Sequence, residues 1–217
     1  MPSRNKVAAK PRRSAGRPKL EDVAAIDDKL LSVALNEFCT HGYGATSLNQ
    51  IVRAAGVSKT TLYARFASKN ELFRAIMHEQ IERIDAGAML TSGSKKPELE
   101  KGLKTYANRM LSLSLEGQLL EVNRLVSSES QRFPELGAAA AERTALGIKR
   151  IAAFIRECAE FDAVPCKDAD AAAEVFILML RGWYVNVMLT NVPVSVAQRE
   201  RWVTRAVRTL LSARADW

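Results

Sequence analysis

Ser47-Leu48-Asn49-Gln50-Ile51-Val52-Arg53-Ala54-Ala55-Gly56-Val57-Ser58-Lys59-Thr60-Thr61-Leu62-Tyr63 carries two helix starts and one helix stop within seventeen residues. Ser47 followed three residues later by Gln50 is a capping-box pattern, in which each side chain satisfies a backbone N–H that the first helical turn leaves free. Ile51, Val52 and Ala55 then give a short helix one apolar face. Gly56 breaks it, because a left-handed turn costs glycine nothing. Ser58 is a favourable N-cap for a second short helix, Lys59 to about Arg65. Two short helices about a tight glycine turn, the second polar outside, make a helix-turn-helix pattern over residues 47–66.

Helical patterning continues on both sides. Upstream, Ile26, Leu30, Ala34 and Phe38 recur at spacings of three and four from about Val23. Gly42 suits the left-handed position that ends this helix. Downstream, Ser68-Lys69-Asn70-Glu71 predicts a second capping box, opening a longer helix with Leu72, Ile76 and Ile81 as core candidates. Thr91 to Pro97 reads as a loop by composition. Helices are expected at about 98–116, 118–131, 135–160, 168–190 and 195–214, with Pro134, Pro165 and Pro193 between them. Period-two alternation is not sustained anywhere, so the chain is expected to be all-α.

Charge is distributed unevenly. The formal net charge is +8, and residues 1–22 carry +5 of it, from Arg4, Lys6, Lys10, Arg12, Arg13, Arg17 and Lys19 against Glu21 and Asp22. These residues have little to bury and read as a disordered basic arm suited to a polyanion. No secretory signal is visible in them, and the apolar run Val175–Leu180 ends at Arg181, far short of the roughly 20 residues of a membrane span. No membrane partner is expected. Cys39, Cys158 and Cys166 do not make a disulfide framework, so a cytoplasmic location is expected, close to the nucleoid. Cys158 and Cys166 are near enough in sequence to be a redox pair, with idle or buried thiols as the alternative. A Gly-rich phosphate loop, a Cys/His cluster and a nucleophile motif are all missing, and His41 and His78 lack metal-ligand spacing. The expectation is no enzyme, no cofactor and no metal.

Residues 42–73 closely resemble the DNA-binding domain of the tetracycline-repressor (TetR) family. Gly-Tyr ahead of Thr-Ser-Leu, the Ala-Ala-Gly-Val-Ser turn, Leu-Tyr followed by Phe, and Ser-Lys-x-Glu-Leu fall at that family's spacing. With the preceding helix, the resemblance covers about residues 24–84. Thr60 stands where many members have glycine. The resemblance implies a basic arm at 1–22 and a three-helix DNA-binding domain at 23–84. A helical ligand-binding and dimerisation domain would fill 85–217. It implies a homodimer on double-stranded, palindromic operator DNA, acting as a repressor released by a small ligand. An activator, or a helical interaction module that does not bind DNA specifically, is the alternative.

Roles in DNA contact follow by position. Lys59, Thr60 and Thr61 open the recognition helix and are expected at base edges or nearby phosphates. Tyr63 is expected at a phosphate or a thymine methyl, with core packing as its alternative. Thr46 and Ser47 open the preceding helix, where free N–H groups favour a phosphate, and Lys69 is expected at another. Ser47 and Ser58 are equally explained by capping, Ser68 chiefly so, and Arg53 and Arg65 also read as solvated charges. In the arm, Gly16-Arg17-Pro18 resembles the core of an AT-hook, which would lay Arg17 in an A·T-rich minor groove. A generic basic tail is the alternative.

Arg124 to Leu136 resembles the effector domain of AefR-like or AcrR-like regulators. Tyr106, Met110, Phe154, Phe176, Met179, Trp183, Tyr184 and Met188 are candidates to line a cavity for an apolar or aromatic effector, though each taken singly reads more readily as a core residue. Glu129 and Arg132 read either as polar anchors or as surface charges. The helix through Val175–Leu189 is apolar nearly all round. The last helix carries a stripe of Trp202, Val203, Ala206, Val207, Leu210 and Leu211. Together the two are expected to form half of an intersubunit four-helix bundle, or else to fill the monomer core.

Overall fold

The computed structural model describes residues 20–88, 98–164 and 166–214, and the side chains of these except 20–24, 80, 81 and 83–88. The arm with Arg17, the loop Thr91–Pro97, Met89, Pro165 and the side chain of Ile81 lie outside this description. Among the described residues there are nine helices and no strand. They are α1 (Leu20–His41), α2 (Leu48–Ala55), α3 (Lys59–Tyr63), α4 (Lys69–Ala88), α5 (Leu99–Leu115), α6 (Gly117–Glu129), α7 (Pro134–Asp162), α8 (Ala169–Thr190) and α9 (Val196–Ser212).

The head is built on α1, α2, α3 and the start of α4. Its capping follows the sequence closely. Ser47 Oγ accepts from the Gln50 N–H while Gln50 Oε1 accepts from the Ser47 N–H at 2.7 Å. Gly56 closes α2 at φ 63° and Gly42 follows α1 at φ 82°, both left-handed. Ser58 Oγ accepts from the Thr61 N–H at 3.0 Å. The start of α4 departs from the expected reciprocal box. Ser68 Oγ accepts from the Glu71 N–H at 3.1 Å, but the Glu71 carboxylate accepts from Ala67 N–H, one residue ahead of the cap, at 2.8 Å. Inside the head, Phe38, Tyr43 and Phe73 form a closed aromatic triangle with centroids 5.1, 6.1 and 5.7 Å apart. Edge-on and tilted rings at such distances attract through their quadrupoles as well as through buried area.

Behind the head, α5 packs against α4, α6, α8 and α9, and α7 packs against α4 and α8. Gly102 of α5 lets α7 come close, since a Cβ there would lie 2.2 Å from the Phe154 ring. One buried apolar cluster runs from Phe38 and Phe73 through Leu103 and Tyr106 to Phe176 and Val207. Head and body are therefore joined by packed side chains as well as by chain.

Of the two places expected for the apolar stripe of the last helix, it takes the monomer core. Val203, Ala206, Val207 and Leu210 of α9 are buried within the monomer, and α9 packs chiefly on α5. Trp183 stacks on Trp202 at 4.8 Å. Helical period reveals an apolar stripe but not which neighbour covers it, and α5 takes this one. What stays uncovered is the outer face of α8, where Val175, Leu178 and Leu189 are 51%, 49% and 70% exposed. α8 is long and apolar enough to cross a membrane by length and composition, but its inner face, including Phe176, Ile177, Leu180 and Tyr184, is core of the helical body.

Candidate nucleic-acid interface and effector cavity

α3 buries Leu62 and leaves Ser58, Lys59, Thr60 and Tyr63 exposed, with Tyr63 52% accessible. An aromatic ring of that size left open on a five-residue helix is not serving the core. Thr61 is half-buried, and its hydroxyl lies 2.7 Å from Ser58 Oγ, inside the cap. Of the two threonines on the helix, Thr60 is the exposed one. Ser47 is exposed at the start of α2 and Arg53 at its end. Arg65 is ion-paired to Asp27 of α1 and donates to the Thr61 carbonyl at 3.2 Å, so its guanidinium braces the head.

Two expected phosphate contacts have a different place. Thr46 is 2% exposed, and its hydroxyl donates to the carbonyls of Gly42 at 2.8 Å and Glu37 at 3.1 Å. It fastens the turn to the end of α1 and does not face outward. The Lys69 ammonium donates to the carbonyls of Tyr43 at 2.7 Å and Thr46 at 3.1 Å and sits 4.3 Å from the Tyr43 ring centre. Desolvation lowers its pKa, against the opposing pull of Glu135 and Glu129. Lys69→Met should destabilise the protein by about 1–3 kcal/mol, since two carbonyls lose their donor, and should leave the salt dependence of DNA binding unchanged. A fall of about one in that slope with unchanged melting would mark Lys69 as a phosphate contact instead.

The same turn is held from the body. The Glu129 carboxylate at the end of α6 accepts from the backbone N–H groups of Tyr43 at 3.0 Å and Gly44 at 3.3 Å. Phe133 packs edge-on against Tyr43 at 5.3 Å. A Cβ on Gly44 would lie 2.6 Å from the Phe133 ring, which accounts for glycine there. Glu129 is thus neither a ligand anchor nor a loose surface charge but a tie between body and head. On the other side Arg74 of α4 makes two bonds to Glu142 of α7, at 2.9 and 2.7 Å, and Arg150 of α7 reaches Glu82 of α4 at 2.6 Å.

In the body, a narrow cleft lies among α5, α6, α7 and α8, with room for little more than one water molecule. Tyr106, Met110 and Tyr184 line it as expected candidates do. Phe154 packs on Gly102, Phe176 lies against Tyr106 in the core, Trp183 stacks on Trp202, and Met179 is partly buried against the core. None of these four is in the lining, and Met188 lines a separate surface groove with Val187 and Pro193. The lining also contains two cations that the sequence reading did not propose for a cavity, Arg143 and Arg181. A signal for Arg143 was present. It falls in the helical stripe of Leu136, Ala139, Ala140, Gly147, Ile151 and Phe154, all buried, where a charge is out of place. The thiols are free, with burial pushing Cys158 and Cys39 each up to about 11, so both stay protonated at neutral pH.

Residues 30–76 match the bacterial regulatory proteins of the tetR family, and residues 101–214 the C-terminal domain of AefR-like transcriptional repressors. The HTH-type transcriptional repressor ComR of Escherichia coli (strain K12) is 39% identical over 95 residues, 44% of this chain and 43% of ComR. The HTH-type transcriptional activator FasR of Mycolicibacterium smegmatis is 31% identical over 81 residues, 36% of this chain and 37% of FasR. The chain thus matches less than half the length of either relative. Two solved structures resemble it along most of their length. A TetR-family regulator of Mesorhizobium loti MAFF303099 is 25% identical at a TM-score of 0.70, covering 88% of this chain and 97% of that one. The flavonoid-responsive regulator FrrA is 28% identical at 0.69, with the same coverage.

Proposed function

Since the chain belongs to the TetR family of bacterial regulatory proteins, we propose that it is a cytoplasmic repressor that binds a palindromic operator as a homodimer and releases it when a small ligand enters the cleft of its body. The observation that carries this reading is α3, a short helix with Leu62 inside and Lys59, Thr60 and Tyr63 exposed together. Ser47 and Ser58 add exposed hydroxyls at two helix starts, and Thr61 supports the cap beneath the contact surface. ComR is named a repressor and FasR an activator; the position of the operator against the promoter decides between these outcomes.

The test is fluorescence anisotropy of the full chain on the DNA upstream of its own gene, over a range of salt. Lys59→Ala should weaken binding to all sequences alike and reduce the salt slope by about one. Thr60→Ala should relax preference at one base step by about 1–3 kcal/mol. Wild-type binding in both variants would remove α3 from the interface, and no preference for the upstream fragment in the wild type would leave a helical module without specific DNA binding.

Release requires that the ligand bind the non-operator arrangement more tightly than the operator-bound one. The proposed linkage runs through α7 and α6. Arg143 faces the cleft from α7, and its neighbour in sequence, Glu142, holds Arg74 of α4. Glu129 at the end of α6 holds the turn ahead of α2. A ligand that moves α6 or α7 shifts the head of each protomer and so the spacing of two recognition helices, which must match two half-sites. Operator must then lower ligand affinity by the factor by which ligand lowers operator affinity.

A further inference from the structure

We propose that the cleft in the body is built for an organic acid, with Arg143 and Arg181 receiving its carboxylate and Met110, Leu119 and Ile177 its apolar part. This rests on the reading of the cleft as the effector site and names the class of effector.

Arg143 is 9% exposed in the middle of the helical body. Its Nη2 donates to Asn123 Oδ1 at 3.1 Å, and Asn123 in turn donates to the Ser114 carbonyl at 3.3 Å, which fixes the orientation of the guanidinium. Nη1 is buried and reaches no hydrogen-bond acceptor. The second cation, Arg181, enters from α8 and donates to Thr144 Oγ1. Neither aspartate nor glutamate is among the residues lining the cleft. Burial acts most strongly against the Arg143 charge; the side chains that act on it are Tyr184, which is also within hydrogen-bonding reach, Arg181 and Tyr106, none of them a carboxylate, and Arg181 has the same sign.

A buried charge without a counter-charge is among the costliest arrangements a folded chain can keep. Arginine does not escape it by releasing its proton. The paired cations, one oriented through Asn123 and left with a free donor, fit an anion that arrives from outside. A carboxylate suits them, because the guanidinium fork matches its two oxygens and the pair gains most where water is excluded. The Tyr106 and Tyr184 side chains, 1% and 2% exposed, line the same space and add hydroxyl groups. The cleft as it stands is too narrow for more than a water. An acid with an apolar tail would enter by displacing Met110 and Leu119, and methionine repacks readily.

The test is isothermal titration of the full chain at neutral pH with benzoate, cinnamate and octanoate and with the primary amide of each. Amide and acid have nearly the same shape and differ in charge. The acid is expected to bind at least about tenfold more tightly than its amide for at least one pair. Arg143→Gln and Arg181→Gln should each bring that ratio close to one with amide affinity unchanged. Arg181→Gln leaves the Arg143–Asn123 bond in place, so it reports even if Arg143→Gln fails to fold. Equal binding of acid and amide, no binding of any acid, or a preference that survives Arg181→Gln would overturn the proposal. Operator anisotropy on the same preparations separates the two levels. Intact operator binding with any of these results leaves the regulator standing without an acid effector, whereas loss of operator binding in the wild type removes the regulatory reading itself.

Discussion

Leu178→Glu should yield a folded monomer whose operator affinity is about a hundredfold or more below that of the wild type. Ala171, Val175, Leu178, Gly182 and Leu189 lie along the outer face of α8 at helical spacing, all exposed, and half-buried Val185 continues the stripe. A Cβ on Gly182 would meet nothing within 4 Å, so the face is open at its middle and lets a second helix approach closely. A continuous apolar stripe of this length is the mark of a protein–protein contact, not of ordinary surface. Placing a carboxylate at its centre buries an unpaired charge in any interface formed there, while Leu178 at 49% exposed contributes little to the monomer core. Losing the second head removes the avidity of two half-sites, which alone supplies about 10²- to 10⁴-fold. Light scattering after gel filtration and anisotropy on the upstream DNA read the two effects separately. A dimer that survives Leu178→Glu would move the interface elsewhere, for instance to the arginine-rich outer face of α9.

The head was legible in the sequence because its signals are local. Ser47 with Gln50, Gly56 and Ser58 specify caps and turns within three or four residues, and the structure reproduces each. Thr46 shows where that reading stops. By position it opens a helix toward solvent, but the carbonyls that take its hydroxyl belong to Gly42 and Glu37, and only the packing of α1 against the turn brings the latter within reach. The carbonyls that hold Lys69 were out of reach of a local reading for the same reason, lying 26 and 23 residues back. Glu129 meets the head across 86 residues, with no local pattern to announce it. In the body, periodicity located every helix but left their partners open. That ambiguity left the α9 stripe open between a second subunit and the monomer core, where α5 covers it, and left Phe154 and Trp183 open between cavity and core, where their rings lie beside Gly102 and Trp202. Arg143 was legible in principle, as a charge on an apolar stripe; the polar anchors were sought instead at Glu129 and Arg132, and the first of these ties the body to the head.

Phe38→Ala should lower the melting temperature by on the order of 10 °C and abolish specific DNA binding, while Phe38→Leu should retain most of both. Phe38 is fully buried and touches both Tyr43 and Phe73, so its removal opens the aromatic triangle from the inside. Truncating a buried phenylalanine costs about 3–5 kcal/mol, the transfer loss plus the cavity left behind, a large part of the 5–15 kcal/mol typical of a whole domain. For a chain of this length each kcal/mol moves the midpoint by about 2–4 °C. The cavity cannot collapse easily. Tyr43 is pinned by Lys69 at its carbonyl, by Glu129 at its N–H and by Phe133 at its ring. Leucine refills most of the volume and keeps the apolar contact, which separates loss of packing from loss of aromatic geometry. Because Phe73 and the rest of α4 also pack on α5 and α7, the damage should spread from head to body as one cooperative transition, read as coincident melting by circular dichroism and by tryptophan fluorescence from Trp183 and Trp202. Two separate transitions, with the body melting as in the wild type, would show instead that the head unfolds independently and that the shared core does not couple them.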